Sequence, residues 1–255
     1  MWTIPALLTL LIATPLIAGA VLVGTMLGAR DVPGSLVAAA PRIWSWLLCK
    51  ASGVRVVLHA PERLADGAPQ VYVANHVSWY DVFTIAATLR SYKFIAKEEL
   101  GRIPLFGHAA RAAGIIFIDR NNRKAAFAGY EAAAGRIREG FSVVVCPEGT
   151  RGDAYALRPF KKGPFVLAIA AGVPVIPTLV YGTREVLARG SWVVRRGTVH
   201  VHLLEPIPTA GMTYEDRDRL ARLTWERMAA ELESVYGIAS AGPGKASPVL
   251  EPATT

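Results

Sequence analysis

The chain has 255 residues, enough for one large domain or two small ones, and 52% of them are hydrophobic. Its net charge is +8, and residues 90–165 alone hold fourteen Lys/Arg against seven Asp/Glu, a window of +7 that favours anionic lipid surfaces and phosphate-bearing substrates. No nucleic-acid-binding motif accompanies that charge, and two cysteines, Cys49 and Cys146, are too few and too far apart for a zinc site or a disulfide framework.

The apolar excess lies at the N-terminus. No charged side chain precedes Arg30, and a run of that length can cross or enter a bilayer, which takes about 20 apolar residues. A cleaved signal peptide wants a basic start and a short apolar core, and this run has neither. A helix broken at Pro15 would re-enter one leaflet, an unbroken one would span, and a buried helical hairpin is the alternative without a membrane. Residues 35–50 form a second apolar segment, with Trp44 and Trp46 beside Arg42 and Lys50. That pattern suits a helix at the headgroup level. Arg30, Arg42 and Lys50 all follow the first run, so the positive-inside rule puts the rest of the chain on the cytoplasmic side of the cell membrane. Residues 1–50 thus read as a membrane-anchoring helical segment.

Beyond Lys50 strands and helices alternate. Residues 54–59, 70–74, 93–96, 114–118, 142–146, 174–180 and 198–204 read as strands, several of them short apolar runs suited to burial on both faces. Residues 82–90, 123–139, 162–171 and 214–236 read as helices, with Gly140 and Gly172 as stops and an ion pair expected between Glu215 and Arg219 at i,i+4. This alternation predicts an α/β domain over 51–236, a largely parallel sheet with helices on both faces. Residues 237–255, rich in Gly, Ala, Ser, Pro and Thr, read as a disordered tail.

Ligands in such sheets bind at the carboxyl ends of strands. His76 follows one predicted strand and Pro147-Glu148-Gly149 follows another. In Asn75-His76-Val77-Ser78-Trp79-Tyr80-Asp81, a continuous helix would set His76 and Asp81 roughly 140° apart. If the helix starts near Ser78, the Asp81 carboxylate can turn back to one ring nitrogen and leave the other as a base. Ser78-x-x-Asp81 also matches a capping box, so Asp81 capping a helix beside an ordinary loop histidine is the competing reading. In Pro147-Glu148-Gly149-Thr150-Arg151, Gly149 permits a tight turn, Arg151 can bind phosphate bidentately, and Glu148 can hold that arginine or touch a hydroxyl. A polar loop with a surface ion pair is the alternative.

Four blocks in order carry a resemblance: Asn75-His76-x4-Asp81, the stretch from Gly114 through Asp119-Arg120, Pro147-Glu148-Gly149-Thr150-Arg151, and Val173-Pro174-Val175-Ile176-Pro177. Together they resemble the glycerophospholipid acyltransferases, most closely the 1-acylglycerol-3-phosphate acyltransferases, over roughly residues 50–205. The resemblance implies the glycerolipid acyltransferase fold, with His76 as general base for the acceptor hydroxyl and Asp81 orienting it. It implies that Arg120, Glu148, Gly149, Thr150 and Arg151 bind the acceptor, that Lys97 lies on the phosphate side, and that the Val173–Pro177 block lines the acyl-donor side. The partners implied are membrane lipids, a lyso-phospholipid acceptor acylated at its sn-2 hydroxyl to phosphatidic acid, and acyl-CoA or acyl carrier protein as donor, with no metal or cofactor. Another lyso-lipid, such as lyso-ornithine lipid, is the alternative acceptor. Cys146 and Gly152 depart from the family's usual phenylalanine and serine. A thiol nucleophile at Cys146 is set against simple packing at the end of an apolar strand. His200 and His202 share a strand face without a visible third metal ligand, and His59 reads as structural.

Overall fold

The computed structural model describes residues 2–64, 68–119 and 122–244. In chain order the elements are α1 (Thr3–Met26), α2 (Leu36–Ala51), β1 (Val54–His59), β2 (Val71–Ala74), α3 (Trp79–Thr88), β3 (Tyr92–Lys97), α4 (Glu98–Gly101) and α5 (Phe106–Ala112). They continue with β4 (Ile116–Ile118), α6 (Arg123–Arg138), β5 (Ser142–Val145), α7 (Gly163–Ala171), β6 (Val175–Tyr181), α8 (Thr183–Val186), β7 (Gly197–Leu203) and α9 (Arg217–Tyr236). All seven strands expected from the sequence are present. The short α4, α5 and α8 were not expected, because one or two turns carry no readable period.

The strands form one sheet in the order β1-β7-β6-β2-β5-β3-β4. β6, β2, β5, β3 and β4 run parallel, while β7 is antiparallel to β6 and carries β1 parallel to itself. The chain leaves β2 toward β3 on one side and leaves β5 toward β6 on the other. The two adjacent central strands therefore open a crevice at their carboxyl ends, where such sheets bind ligands. Val71, Val73, Val143 and Val175 are fully buried on one face, under α6, α7 and α9. Tyr72, Val144, Ile176 and Val180 are buried on the other, with Ile85 of α3.

α9 buries Leu220, Thr224, Trp225, Met228 and Leu232, a stripe with helical spacing. The expected Glu215–Arg219 pair does not form. Residues 214–216 make a separate 3₁₀ turn, so Arg219 pairs with Asp216 at 3.1 Å and Glu215 with Arg217 at 3.4 Å. Of the expected disordered tail, residues 245–255 lie outside the described residues. Nearer the helix, Ser240 Oγ accepts from Leu157 N at 2.9 Å.

α1 is continuous through Pro15, with a mean hydropathy of 2.4 over its most apolar stretch. It packs against α2 and α5, burying Ala6, Ala18 and Val21, and leaves Leu8, Leu11, Ile12 and Leu16 exposed. Its start is held by Thr3, whose Oγ1 accepts from Val194 N at 2.9 Å. Trp44, read as a headgroup anchor, is instead an internal strut. Its indole donates to Thr14 Oγ1 at 2.9 Å and its ring packs on Phe83 and Phe106. Trp46 is half-exposed, with the Lys50 ammonium over its ring.

Asp31, in the link between α1 and α2, ties this pair to the domain. It receives the buried Lys93 ammonium at 2.6 Å and also pairs with Arg136 on α6. Lys93 donates as well to Ala113 O at 2.7 Å, and burial pushes its pKa down to about 8. Removing one partner of a buried ion pair costs about 3–5 kcal/mol, because the other charge stays desolvated. Asp31→Ala is therefore expected to lower unfolding stability by that amount, read by urea or thermal melts. The double variant Asp31→Ala/Lys93→Met should recover part of the loss.

Candidate active site

The crevice brings the two central motifs together. β2 ends at Ala74, and the fully buried Asn75 clamps the neighbouring strand. Its amide donates to Val180 O at 2.9 Å and its carbonyl accepts from Val180 N at 2.7 Å. The chain then turns through His76 and Val77 into α3, whose N-cap is Ser78, with Oγ accepting from Tyr80 N at 3.2 Å.

Asp81 is completely buried and sits in the first turn of α3. One oxygen, Oδ2, accepts from His76 Nδ1 at 2.9 Å, Val77 N at 2.7 Å and Ser78 N at 2.8 Å. The other, Oδ1, accepts from the Thr183 hydroxyl. The two readings of Asp81 thus describe the same atom: it completes the capping box and binds the imidazole. An ionised carboxylate only accepts, so Nδ1 carries the proton and Nε2 presents a lone pair. His76 is partly buried, with 15% of its side chain exposed, so that lone pair is reachable.

The Pro147–Arg151 loop follows β5 and is stitched to the same turn. Gly152 N donates to His76 O at 2.8 Å. Gly149 has φ +84°, in the left-handed region, so the turn requires glycine.

Glu148 does not hold Arg151. Its Oε2 accepts from Arg158 Nε at 2.9 Å and Nη2 at 2.8 Å. Arg158 also donates to Thr150 Oγ1 at 3.1 Å and to Thr150 O. The reason is reach: Arg151 points the other way, with its guanidinium 4.7 Å from the centre of the Trp79 ring. Among the described residues no carboxylate lies within 4.0 Å of Arg151, and Arg189 donates to its carbonyl at 3.0 Å. Arg189 itself pairs with Asp153 at 3.2 Å, so Arg151, on its aromatic face, is the cation left for an anion to meet.

The other expected site residues are less central. Thr150 is exposed and fixed by Arg158. Lys97, at the end of β3, is half-exposed and pairs with Glu99 at 2.7 Å. Arg120 lies outside the described residues. The Val173–Pro177 block does not line the crevice: β6 runs parallel to β2, so its first residues sit at the opposite edge, where Val175 and Ile176 are fully buried. A cleft beside Gly149 is walled by Ile95, Ile118, Tyr130 and Cys146, with Lys161 on its lining.

Three contributors were not expected from the sequence: Arg158, Thr183 and Tyr155. The Tyr155 hydroxyl accepts from Gly182 N at 2.8 Å and Arg184 N at 2.9 Å and donates to Glu185 at 2.6 Å, which fixes the turn that carries Thr183. The only sequence signal for Thr183 is its place just past the strand ending at Tyr181. Arg158 had a weaker one, as the cation preceding Phe160-Lys161-Lys162-Gly163.

A family model described as Acyltransferase matches residues 55–181. The 1-acyl-sn-glycerol-3-phosphate acyltransferase of Haemophilus influenzae is 33% identical over 74% of this chain and 80% of its own. A putative 1-acyl-sn-glycerol-3-phosphate acyltransferase of Caenorhabditis elegans, acl-2, is 31% identical over 73% of this chain and 67% of its own. The human beta enzyme of that name is 36% identical over 64% and 60%. The crystal structure of the 1-acyl-sn-glycerophosphate acyltransferase PlsC from Thermotoga maritima has the same fold, with a TM-score of 0.68, 24% identity, and coverage of 92% of this chain and 96% of that one.

Burial, opposed by Arg158, pushes Glu148 up from 4.5 to about 7. Between these two values the unfolded chain has released the Glu148 proton and the folded one retains it. The folded state therefore binds more protons, and stability falls as pH rises from 4.5 through 7, by up to about 3 kcal/mol. Glu148→Gln should lack this decline. Urea melts of both proteins from pH 4.5 to 8 check it: the difference in their stabilities should change with pH in that window and level off above it.

Proposed function

The chain belongs to the acyltransferase family, and on that basis we propose that it transfers an acyl group from an acyl thioester to the sn-2 hydroxyl of 1-acylglycerol-3-phosphate, giving phosphatidic acid. The observation that carries this reading is the buried Asp81 carboxylate on His76 Nδ1, next to the positively charged Arg151. The relatives' names supply the acceptor.

In the proposed reaction His76 Nε2 takes the proton of the acceptor hydroxyl as its oxygen attacks the thioester carbonyl. Asp81 holds the imidazole in the required tautomer and stabilises the imidazolium that forms. The C–S bond of the resulting tetrahedral adduct then breaks. The departing thiolate, of coenzyme A or of acyl carrier protein, receives the proton back from His76. No enzyme nucleophile is needed, and Cys146 serves as part of the cleft wall. Arg151 binds the acceptor phosphate, with Lys161 and, by its place in the motif, Arg120 as further cations. Glu148 and Arg158 shape the loop that holds them.

The acceptor carries an acyl tail, so the crevice must open toward lipid. α1 exposes an apolar flank along its length while its start is held at Val194 and its other side packs on α2 and α5. Buried in a bilayer surface, that flank anchors the enzyme where its substrate resides. The catalytic domain then lies on the cytoplasmic side, as the basic residues after α1 favour.

The test is an assay of the purified protein with labelled acyl-CoA and acyl carrier protein against a panel of lyso-lipids. Lysophosphatidic acid should be acylated well ahead of lyso-ornithine lipid; the reverse order overturns the acceptor assignment. His76→Ala should cut turnover by about 10²–10⁴-fold without loss of the folded state. Arg151→Ala should raise KM for lysophosphatidic acid far more than KM for the thioester, and equal rises would count against a phosphate contact.

A further inference from the structure

A second group of chemically capable side chains lies well apart from His76. β1 and β7 pair in parallel with His59 opposite His202, and His200 lies two residues back on the same face of β7. Three imidazoles therefore project from the edge strand β1 and its neighbour β7 to one side of the sheet. Each offers a ring nitrogen, and the three nitrogens lie within 4.8 Å of one another. His59 Nε2 and His200 Nδ1 are already 2.9 Å apart, and the His59 and His202 rings stack with centroids 4.1 Å apart. His59, which seemed structural from the sequence alone, is the third ligand that His200 and His202 lacked there.

The surroundings of His202 are those of a metal ligand. Its Nδ1–H donates to Glu231 Oε1 on α9 at 3.0 Å, which leaves the lone pair on Nε2. A carboxylate on the far nitrogen is the usual partner of a ligating histidine, fixing its tautomer and raising its basicity. Nε2 currently accepts from the Tyr236 hydroxyl at 2.7 Å, also on α9.

We infer that His59, His200 and His202 form a binding site for a divalent late-transition-metal ion such as Zn²⁺, with Glu231 orienting His202. Zn–N bonds of about 2.0–2.1 Å require the three nitrogens to stand about 3.3 Å apart in a tetrahedral set. Small ring rotations from the observed separations achieve this. As the ion enters, the proton between His59 Nε2 and His200 Nδ1 moves to the far nitrogen of its own ring, which keeps both imidazoles neutral, and Tyr236 yields its place on His202 Nε2 to the ion. Water or the Tyr236 hydroxyl fills the fourth position. The ion would join the edge strand β1 to β7 and, through Glu231 and Tyr236, to the last helix. It lies two to three strands across the sheet from β2, so its role is to fasten the edge and not to take part in acyl transfer.

The test uses tag-free full-length protein in detergent micelles, stripped with chelator and titrated with Co²⁺ and then Zn²⁺. One equivalent of Co²⁺ should bind with visible d–d bands, be displaced by Zn²⁺, and raise the melting temperature. Glu231→Gln should weaken binding about 10–100-fold, and His200→Ala should abolish both the bands and the thermal shift. Should His200→Ala fail to fold, His59→Gln serves the same purpose on the edge strand. Absence of the bands, or Co²⁺ affinity unchanged in these variants, overturns the site.

Discussion

The site depends on one buried carboxylate. Asp81 has no exposed surface, yet it keeps its charge partners close: a ring nitrogen, two backbone N–H groups and a hydroxyl. Burying a charge is costly unless its lone pairs are met by donors. Here the donors come from the β2–α3 turn itself and from the Gly182–Thr183 turn after β6. The same bonds that make the burial tolerable start a helix, orient an imidazole and draw two strand ends together. Function and local folding are therefore not separable at this position, and an asparagine there would disturb both.

Much of the domain was legible in the sequence because its strands are short apolar runs separated by glycine and proline, as a sheet buried on both faces demands. The His76–Asp81 contact was legible for a different reason: only a helix starting at Ser78 lets the two side chains meet, and Ser78-x-x-Asp81 announces that start. The partner of Glu148 was not legible. Arg151 is three residues away and Arg158 is ten, and nothing in the spacing says that the nearer guanidinium turns onto Trp79 while the farther one folds back. The reversal of β7 and β1 was equally hidden, since strand direction depends on connections and not on composition. It is this reversal that sets His59 opposite His202.

The second motif works by division of labour between arginines. Arg158 is committed internally, holding Glu148 and both ends of Thr150, and so gives the loop a fixed shape. Arg151 is left with an aromatic face and a neighbouring guanidinium. A cation already neutralised by a carboxylate has little to offer a phosphate. Keeping Glu148 occupied elsewhere preserves the charge of Arg151 for a ligand. The elevated pKa of Glu148 is the cost of placing that scaffold pair in a nearly dry position.

The tether at Asp31 has a consequence for the order in which the protein is assembled. Its counter-charges lie 62 and 105 residues further along the chain. As the polypeptide leaves the ribosome, α1 is finished long before Lys93 and Arg136 exist as folded partners, at chain growth of about 5–20 residues per second. For several seconds the apolar helix has only α2, its neighbour in the chain, to rest on. Pairing of α1 with α2 thus precedes docking onto the domain. When α6 closes over β3, Asp31 meets its two cations and the helix pair becomes part of the folded enzyme.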